Sequence, residues 1–237
     1  MILLTNGSWV DASVHVPECQ IAWKYDSVHQ HVLHANHTSE SGLARHGWIS
    51  VVHADRDMSD FFSGLQSEDG ASTWAGFSLT MPLKEIVLRH CESADSITTA
   101  INSGNTLYRS EGSWKVTSTD LLAFQYLLDV SKDAKVAIIG GGGTARAAIG
   151  ALNTKIKSVD VLLRSENRMP ALIKAAPNLT LNHLDMSEPL DKYDLIIQTT
   201  PANVFDQYVS GTNQASGVLL EALYKPWPTK LVERYEG

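Results

Sequence analysis

The stretch Lys135-Val-Ala-Ile-Ile-Gly140-Gly-Gly-Gly-Thr-Ala-Arg-Ala-Ala-Ile-Gly-Ala-Leu152 decides the fold. It opens with a short apolar run that stops at glycine, the pattern of a strand buried on both faces. Beyond the glycines, Ala145, Ala148, Ile149 and Leu152 recur at helical spacing. Val159 to Leu163 then reads as a second strand. Bare backbone between a strand and a helix lets a pyrophosphate approach the exposed N–H groups and the positive helix end. Further along, Met169 to Ala176 is helical, while Leu179 to Leu184, Asp194 to Thr200 and Val218 to Leu223 are strand-like. Strands alternating with helices imply a Rossmann-like parallel sheet with right-handed crossovers.

The end of the second strand selects the nucleotide. It runs Leu163-Arg164-Ser165-Glu166-Asn167-Arg168. An NAD site places an acidic residue there for the ribose 2′-OH, whereas an NADP site uses arginine for the 2′-phosphate. Asp160 has roughly the spacing of the acidic residue but falls inside the strand. Arg164 and Arg168 around Ser165 favour NADP; the alternative is a solvated surface pair.

The first half follows another pattern. Strand candidates occur at Ile2 to Leu4, Gln20 to Lys24, Trp48 to His53 and Trp74 to Thr80. Helical segments fall at Met58 to Leu65, Pro82 to Cys91 and Thr119 to Val130. Pro82 suits a first helical turn, and Leu83, Ile86, Val87 and His90 share a face. Ser110-Glu-Gly-Ser113 is a turn between Asn105-Thr-Leu-Tyr108 and Trp114-Lys-Val-Thr117, a hairpin. The junction falls within the Asp120–Val130 helix. This gives an N-terminal α/β substrate domain, 1–120, and a Rossmann-like domain, 121–237.

Composition narrows the class. The 237 residues are 43% hydrophobic and 19% charged, a globular mix that excludes disorder. No apolar run reaches the roughly 18 residues of a membrane span, and Met1-Ile-Leu-Leu4 is too short for a signal-peptide core. The net charge of −7 disfavours nucleic acid and anionic lipid as partners. Two cysteines, Cys19 and Cys91, fit a reducing cytoplasm. A soluble cytoplasmic enzyme or small-ligand binder remains, a monomer or homodimer. His29, His31, His34 and His37 lack the spacing and the nearby cysteines of a metal site, and read as a histidine-rich loop with no metal.

A second constellation is Gly76-Phe-Ser-Leu-Thr-Met-Pro-Leu-Lys84, followed by Asn105-Thr-Leu107 and Ser118-Thr-Asp120. With the glycine run, Leu163 to Arg168, Thr199-Thr-Pro201 and Tyr224-Lys-Pro-Trp-Pro-Thr229, this ordered set resembles shikimate dehydrogenase. The family pattern is G-x-N-V-T-x-P-x-K, A-V-N-T, N-T-D, G-A-G-G-x-x-R-A, N-R-T-x-x-R, A-T-P and Y-N-P-x-x-T. The resemblance runs from about Trp74 to Leu231.

The resemblance implies roles residue by residue. Lys84 is the catalytic lysine and Asp120 its paired aspartate, which also meets substrate. Thr80 and Asn105 hold the substrate, and Tyr224 stands at the substrate–nicotinamide boundary. Gly140, Gly141, Gly142, Gly143 and Thr144 form the pyrophosphate loop, Arg164, Ser165 and Arg168 clamp the 2′-phosphate of NADP, and Thr200 joins the cofactor site. The implied activity is NADP-dependent interconversion of 3-dehydroshikimate and shikimate, in aromatic amino acid (chorismate) biosynthesis. The chemistry agrees with these types, since a lysine ammonium can both polarise a ketone and protonate the alkoxide that hydride transfer produces.

The departures cluster on the substrate side. The family's paired serines fall on Val28-His29-Gln30, with Ser27 able to serve after a one-residue slip. The family's later glycine and glutamine have no counterpart before Gly237, and Met1 to Glu18 match no family element. Two alternatives follow. One is a quinate/shikimate dehydrogenase; the other is a catalytically weakened relative that binds NADP or an aromatic precursor.

Overall fold

The computed structural model describes residues 2–5, 8–11, 33–38, 44–49, 76–91, 93–209, 217–223 and 227–236. The chain divides into two units, one of Met1–Val14 with Asp120–Gly237 and the other of His15–Thr119. Strands β1 (Ile2–Thr5) and β2 (Ser8–Asp11) open the chain. A single grouping of residues 1–120 would put them with the N-terminal domain, but their ladder joins the other unit. β1 runs antiparallel to Val218–Glu221, with Leu3 opposite Leu220, and β2 folds back on β1. A terminal parallel strand leaves a row of unpaired N–H and C=O groups, and β1 satisfies them.

The His15–Thr119 unit holds a sheet of order β4-β3-β5-β7-β8-β6. Its strands are β3 (Leu33–Thr38), β4 (Ala44–Ile49), β5 (Gly76–Ser78), β6 (Ser93–Ala94), β7 (Thr106–Ser110) and β8 (Ser113–Thr117). The histidine-rich stretch is thus corrected: His34 and His37 belong to β3, which pairs with both β4 and β5. Two-sided pairing decides this, and local composition carries no sign of it. β4 begins earlier than the strand expected at Trp48, for the same reason. The hairpin β7–β8 turns at Glu111-Gly112. The segments expected at Gln20 to Lys24 and Met58 to Leu65 lie outside the described residues.

The helix expected over Pro82 to Cys91 divides into α1 (Leu83–Ile86) and a 3₁₀ turn, Val87–Arg89. Gly104 donates its N–H to the Lys84 carbonyl at 2.8 Å, competing for the acceptor that would carry the next α-helical bond. Leu83 and Val87 still face inward, packed with Phe77, Leu79, Leu107 and Val116. A further helix, α2 (Ser96–Ile101), is capped by Asp95, whose carboxylate accepts from the Thr98 N–H and hydroxyl at 2.7 Å each. Its signal, Asp95-Ser-Ile-Thr98, was present in the sequence.

The chain returns to the unit that holds β1 and β2 through α3 (Thr119–Leu127), stopped where Lys155 Nζ donates to the carbonyls of Gln125 (3.0 Å) and Leu128 (2.6 Å). A cation satisfies the orphan carbonyls there and complements the helix end. Then come β9 (Val136–Ile139), α4 (Gly143–Leu152), β10 (Ser158–Leu162), α5 (Met169–Ala175), β11 (Thr180–Leu184), β12 (Leu195–Gln198), α6 (Asp206–Val209), β13 (Val218–Glu221) and α7 (Lys230–Glu236). The sheet order is β11-β10-β9-β12-β13-β1-β2, parallel from β11 to β13. β9 and β12 are buried at every position, which is why their sequences are unbroken apolar runs. On one face Ala137, Ile139, Leu162, Ile196 and Leu219 pack with Phe205, Val209, Leu231 and Val232. The chain winds outward from β9 through β10 and from β12 through β13, so the order reverses between β9 and β12. No helix among the described residues is long and apolar enough to cross a membrane.

Candidate functional site

In the His15–Thr119 unit the first half of the site forms at one end of β5. Beyond that strand, buried Leu79 donates its N–H to the Asn105 carbonyl at 2.7 Å, keeping the start of β7 alongside. Thr80 is exposed, and its carbonyl accepts from the Leu83 N–H at 2.7 Å, closing a turn that leads into Lys84. Lys84 is half-buried and tied through its own carbonyl to Gly104, the neighbour of Asn105. Thr80, Lys84 and Asn105 therefore gather at one strand end although 25 residues separate the first from the last.

Asn105 is buried, and its amide Nδ2 donates to Thr119 Oγ1 at 2.7 Å. That hydroxyl also meets Thr106 Oγ1 at 3.1 Å. Thr119 was not singled out in the sequence, where a Ser-Thr-Asp triplet offers no sign of which hydroxyl is structural. Asp120, half-buried, follows Thr119 directly and is the residue at which the chain re-enters the other unit. Ser27 and Tyr224 lie outside the described residues.

In the other unit the glycine turn sits where the strand order reverses. Gly140 has φ +110°, and a Cβ there would lie 2.6 Å from Thr199 Oγ1, so a side chain is excluded on both counts. Its N–H donates to the Leu162 carbonyl at 3.1 Å, while Thr199 donates to the Ile139 carbonyl through both N–H (3.0 Å) and hydroxyl (2.8 Å). Thr199, unassigned from sequence, thus locks β12 to β9 beneath the turn. Gly142 is the N-cap of α4, and nothing lies within 4 Å of where its Cβ would stand. The N–H groups of Gly143, Thr144 and Ala145 begin a ten-residue helix beside that open space, where they have no intrahelical acceptor.

Arg164, Ser165 and Arg168 are exposed past the end of β10. Ser165 Oγ accepts from the Asn167 N–H at 3.4 Å, starting the short 3₁₀ turn that ends at Arg168. The stem of Arg168 lies against the glycine turn, with its Cβ 2.9 Å from where a Cβ on Gly141 would be. Asp160, the possible NAD signature, is engaged elsewhere: Tyr193 Oη and Asn182 Nδ2 each donate to it at 2.8 Å. An open glycine turn at a helix start with two exposed guanidiniums fits a dinucleotide carrying an extra phosphate. Thr200 is buried; its N–H donates to Gln198 Oε1 and its hydroxyl accepts from Gln198 Nε2, each at 2.9 Å, so its hydroxyl braces β12.

Opposite residues of a ladder share a face, so Ile139, Gln198 and Glu221 form a row across the carboxyl ends of β9, β12 and β13. Glu221 is fully buried, and burial pushes its carboxyl up to about 7 against the opposing pull of the Leu223 N–H and Thr229 hydroxyl. It was not a candidate from sequence, because nothing local distinguishes a buried glutamate from a surface one.

A unit with a doubly wound parallel sheet and its glycine turn at the reversal point, and a second unit that gathers Thr80, Lys84 and Asn105, define a two-unit α/β protein of the Rossmann type. The chain is similar to shikimate dehydrogenases in sequence and in fold. It is 29% identical over 210 residues to the shikimate dehydrogenase (NADP(+)) of Exiguobacterium sp., covering 85% of this chain and 76% of the relative. The enzyme of that name from Thermosynechococcus vestitus is 29% identical over 175 residues, 67% of this chain and 61% of the relative. That from Synechococcus sp. is 31% identical over 174 residues, 66% and 60%. The chain thus spans about three fifths of the length of these last two relatives. Among solved structures, Mycobacterium tuberculosis shikimate dehydrogenase matches with a TM-score of 0.64 at 24% identity, covering 78% of this chain and 70% of its own. Mycobacterium fortuitum shikimate 5-dehydrogenase matches at 0.59 and 26%, covering 77% and 69%. No family model matches the chain.

Proposed function

We propose that this protein is an NADP-dependent oxidoreductase interconverting 3-dehydroshikimate and shikimate in aromatic amino acid biosynthesis. The observation that carries the reading is the tie between Leu79 and Asn105, which brings Thr80 and Lys84 to the strand end where Asn105 emerges. Likeness to shikimate dehydrogenases then suggests the substrate class. In this reading Lys84 presents its ammonium to the ketone oxygen and protonates the alkoxide as it forms, and Asp120 orients that ammonium and accepts from the adjacent hydroxyl. Thr80 and Asn105, with Ser27 and Tyr224, hold the remaining polar groups of the substrate. NADPH, when bound, supplies the hydride. The Gly140–Gly143 turn and Thr144 hold its pyrophosphate, with Arg164, Ser165 and Arg168 on the 2′-phosphate. Thr200 supports the loop from below, consistent with its bonds to Gln198. Few cysteines and an acidic balance suit a cytoplasmic enzyme, working as a monomer or homodimer.

The deciding experiment is shikimate-dependent NADPH formation by the purified chain, with quinate and NAD as controls. Turnover with shikimate and NADP above both controls is expected. NADP binding without turnover on either acid would overturn the enzyme reading in favour of a binding protein.

A further inference from the structure

We propose that Thr199 is a positioning residue for the cofactor, its hydroxyl fixing the peptide from which the glycine turn springs. The proposal rests on the oxidoreductase reading, in which that turn holds the pyrophosphate of NADP. Glycine takes positive and negative φ about equally readily, so Gly140 does not by itself select its φ of +110°. Gly141, Gly142 and Gly143 follow it, and ordering each of them costs backbone entropy. The selection has to come from outside the turn. The Ile139–Gly140 peptide is held on both edges. Its N–H, from Gly140, donates to the Leu162 carbonyl of β10 at 3.1 Å. Its carbonyl, from Ile139, accepts twice from the end of β12, from the Thr199 N–H at 3.0 Å and the Thr199 hydroxyl at 2.8 Å. A carbonyl oxygen has two lone pairs, and here one residue meets both. The parallel ladder supplies the first of these bonds whatever the side chain at 199, but the second requires a hydroxyl.

The same oxygen sits on the bare side of Gly140, 2.6 Å from where a Cβ would stand, and Thr200 Cγ2 is 3.1 Å from that point. Thr200 is occupied elsewhere, its N–H and hydroxyl both turned to the Gln198 side chain at 2.9 Å. Gln198 is held through its own carbonyl by the Ala222 N–H at 3.0 Å, so the strand end that carries Thr199 is tied towards β13 as well as to β9. At the far end of the turn, Gly142 caps α4. A helix therefore fixes the exit of the turn, and the doubled bond to Ile139 fixes its entry. Losing the hydroxyl leaves the helix and the ladder bond in place and frees the entry alone. A looser turn must be ordered by whatever binds it. That cost falls on the pyrophosphate, which NAD and NADP share, and not on the 2′-phosphate.

The test uses the full chain as wild type, Thr199→Ala and Thr199→Ser, the two variants differing by the hydroxyl alone. Isoleucine labelled at its carbonyl carbon and glycine labelled at nitrogen select the two Ile–Gly peptides of the sequence, Ile139–Gly140 and Ile149–Gly150, and Gly150→Ala tells their signals apart. Gly150, inside α4, is the internal reference. Expected in Thr199→Ala is faster amide exchange at Gly140 relative to Gly150, with the wild-type rate restored in Thr199→Ser. Calorimetry should show NADP and NAD weakened by the same factor, roughly three- to tenfold, in Thr199→Ala and recovered in Thr199→Ser. Should Thr199→Ala fail to fold, Thr199→Val, which keeps the bulk and lacks the hydroxyl, is read in its place. Unchanged exchange at Gly140 overturns the fixing of the peptide. Unchanged nucleotide affinity, a loss confined to NADP, or a serine variant no better than the alanine one overturns the positioning role. A wild type that binds neither nucleotide overturns the oxidoreductase reading instead, and exchange at Gly140 then still decides what Thr199 fixes.

Discussion

Arg168 lays its stem across Gly141, although 27 positions separate them in the chain: its Cβ and Cγ lie 2.9 and 3.3 Å from where a Cβ on residue 141 would stand. The glycine turn and the arginine turn are therefore one surface, and the absence of a side chain at 141 is what lets them meet.

Gly141→Ala should push the Arg168 stem aside while leaving Gly140 and α4 in place. NADP affinity is expected to fall roughly tenfold, about 1.4 kcal/mol, with the NAD affinity less affected. Calorimetry with both nucleotides checks this, and equal losses would mean the methyl disturbs the pyrophosphate turn itself.

Arg164→Ala with Arg168→Ala tests the clamp directly. Charge-assisted contacts to a phosphate contribute about 1.5–3 kcal/mol each, so the pair should account for more than a hundredfold of any NADP preference. NAD binding should stay nearly constant. A double variant that still prefers NADP would remove these arginines from the role.

Lys84→Ala should lower turnover by about 10²–10⁴-fold, the usual contribution of a positioned acid–base group. Lys84 is half-buried and its backbone bond to Gly104 survives the change, so the denaturation midpoint should hardly move. A folded variant with wild-type turnover would contradict the assignment.

Thr119→Val keeps the shape and removes the hydroxyl that accepts from Asn105 and meets Thr106. The buried amide of Asn105 then loses this acceptor, at a cost of about 1–3 kcal/mol of stability. Denaturant titration measures that loss. The KM for shikimate should rise while NADP binding is retained.

Glu221 makes stability depend on pH. Its carboxyl is raised from 4.5 to about 7 on folding, so between those values the folded state holds the proton more tightly than the unfolded chain. Stability from this group is fully present below about 4.5, falls as pH rises towards 7, and is flat above. At about 1.4 kcal/mol per pH unit the fall is on the order of 3 kcal/mol. Glu221→Gln should flatten urea midpoints measured from pH 5 to 8, and an unflattened profile would place the titrating group elsewhere.

The sequence alone determined the elements whose signals are local. The run Val136 to Ile139, the glycines after it and the helical spacing of Ala145 to Leu152 specify a strand, turn and helix, because burial on both faces and bare backbone each leave a mark on neighbouring residues. Leu83 and Val87 on one face were legible in the same way, and so were Arg164 and Arg168 past a strand end. Tertiary structure decided what depends on partners distant in the chain. β1 joined β13, far away in the chain, as well as its neighbour β2, and His34 and His37 entered a strand because β4 and β5 flank it. Thr119 became the anchor of Asn105, and Glu221 the clasp of Leu223 and Thr229, through side chains whose composition gives no hint of burial. Hydrogen-bond partners and desolvation are set by packing, and packing is a property of the whole chain.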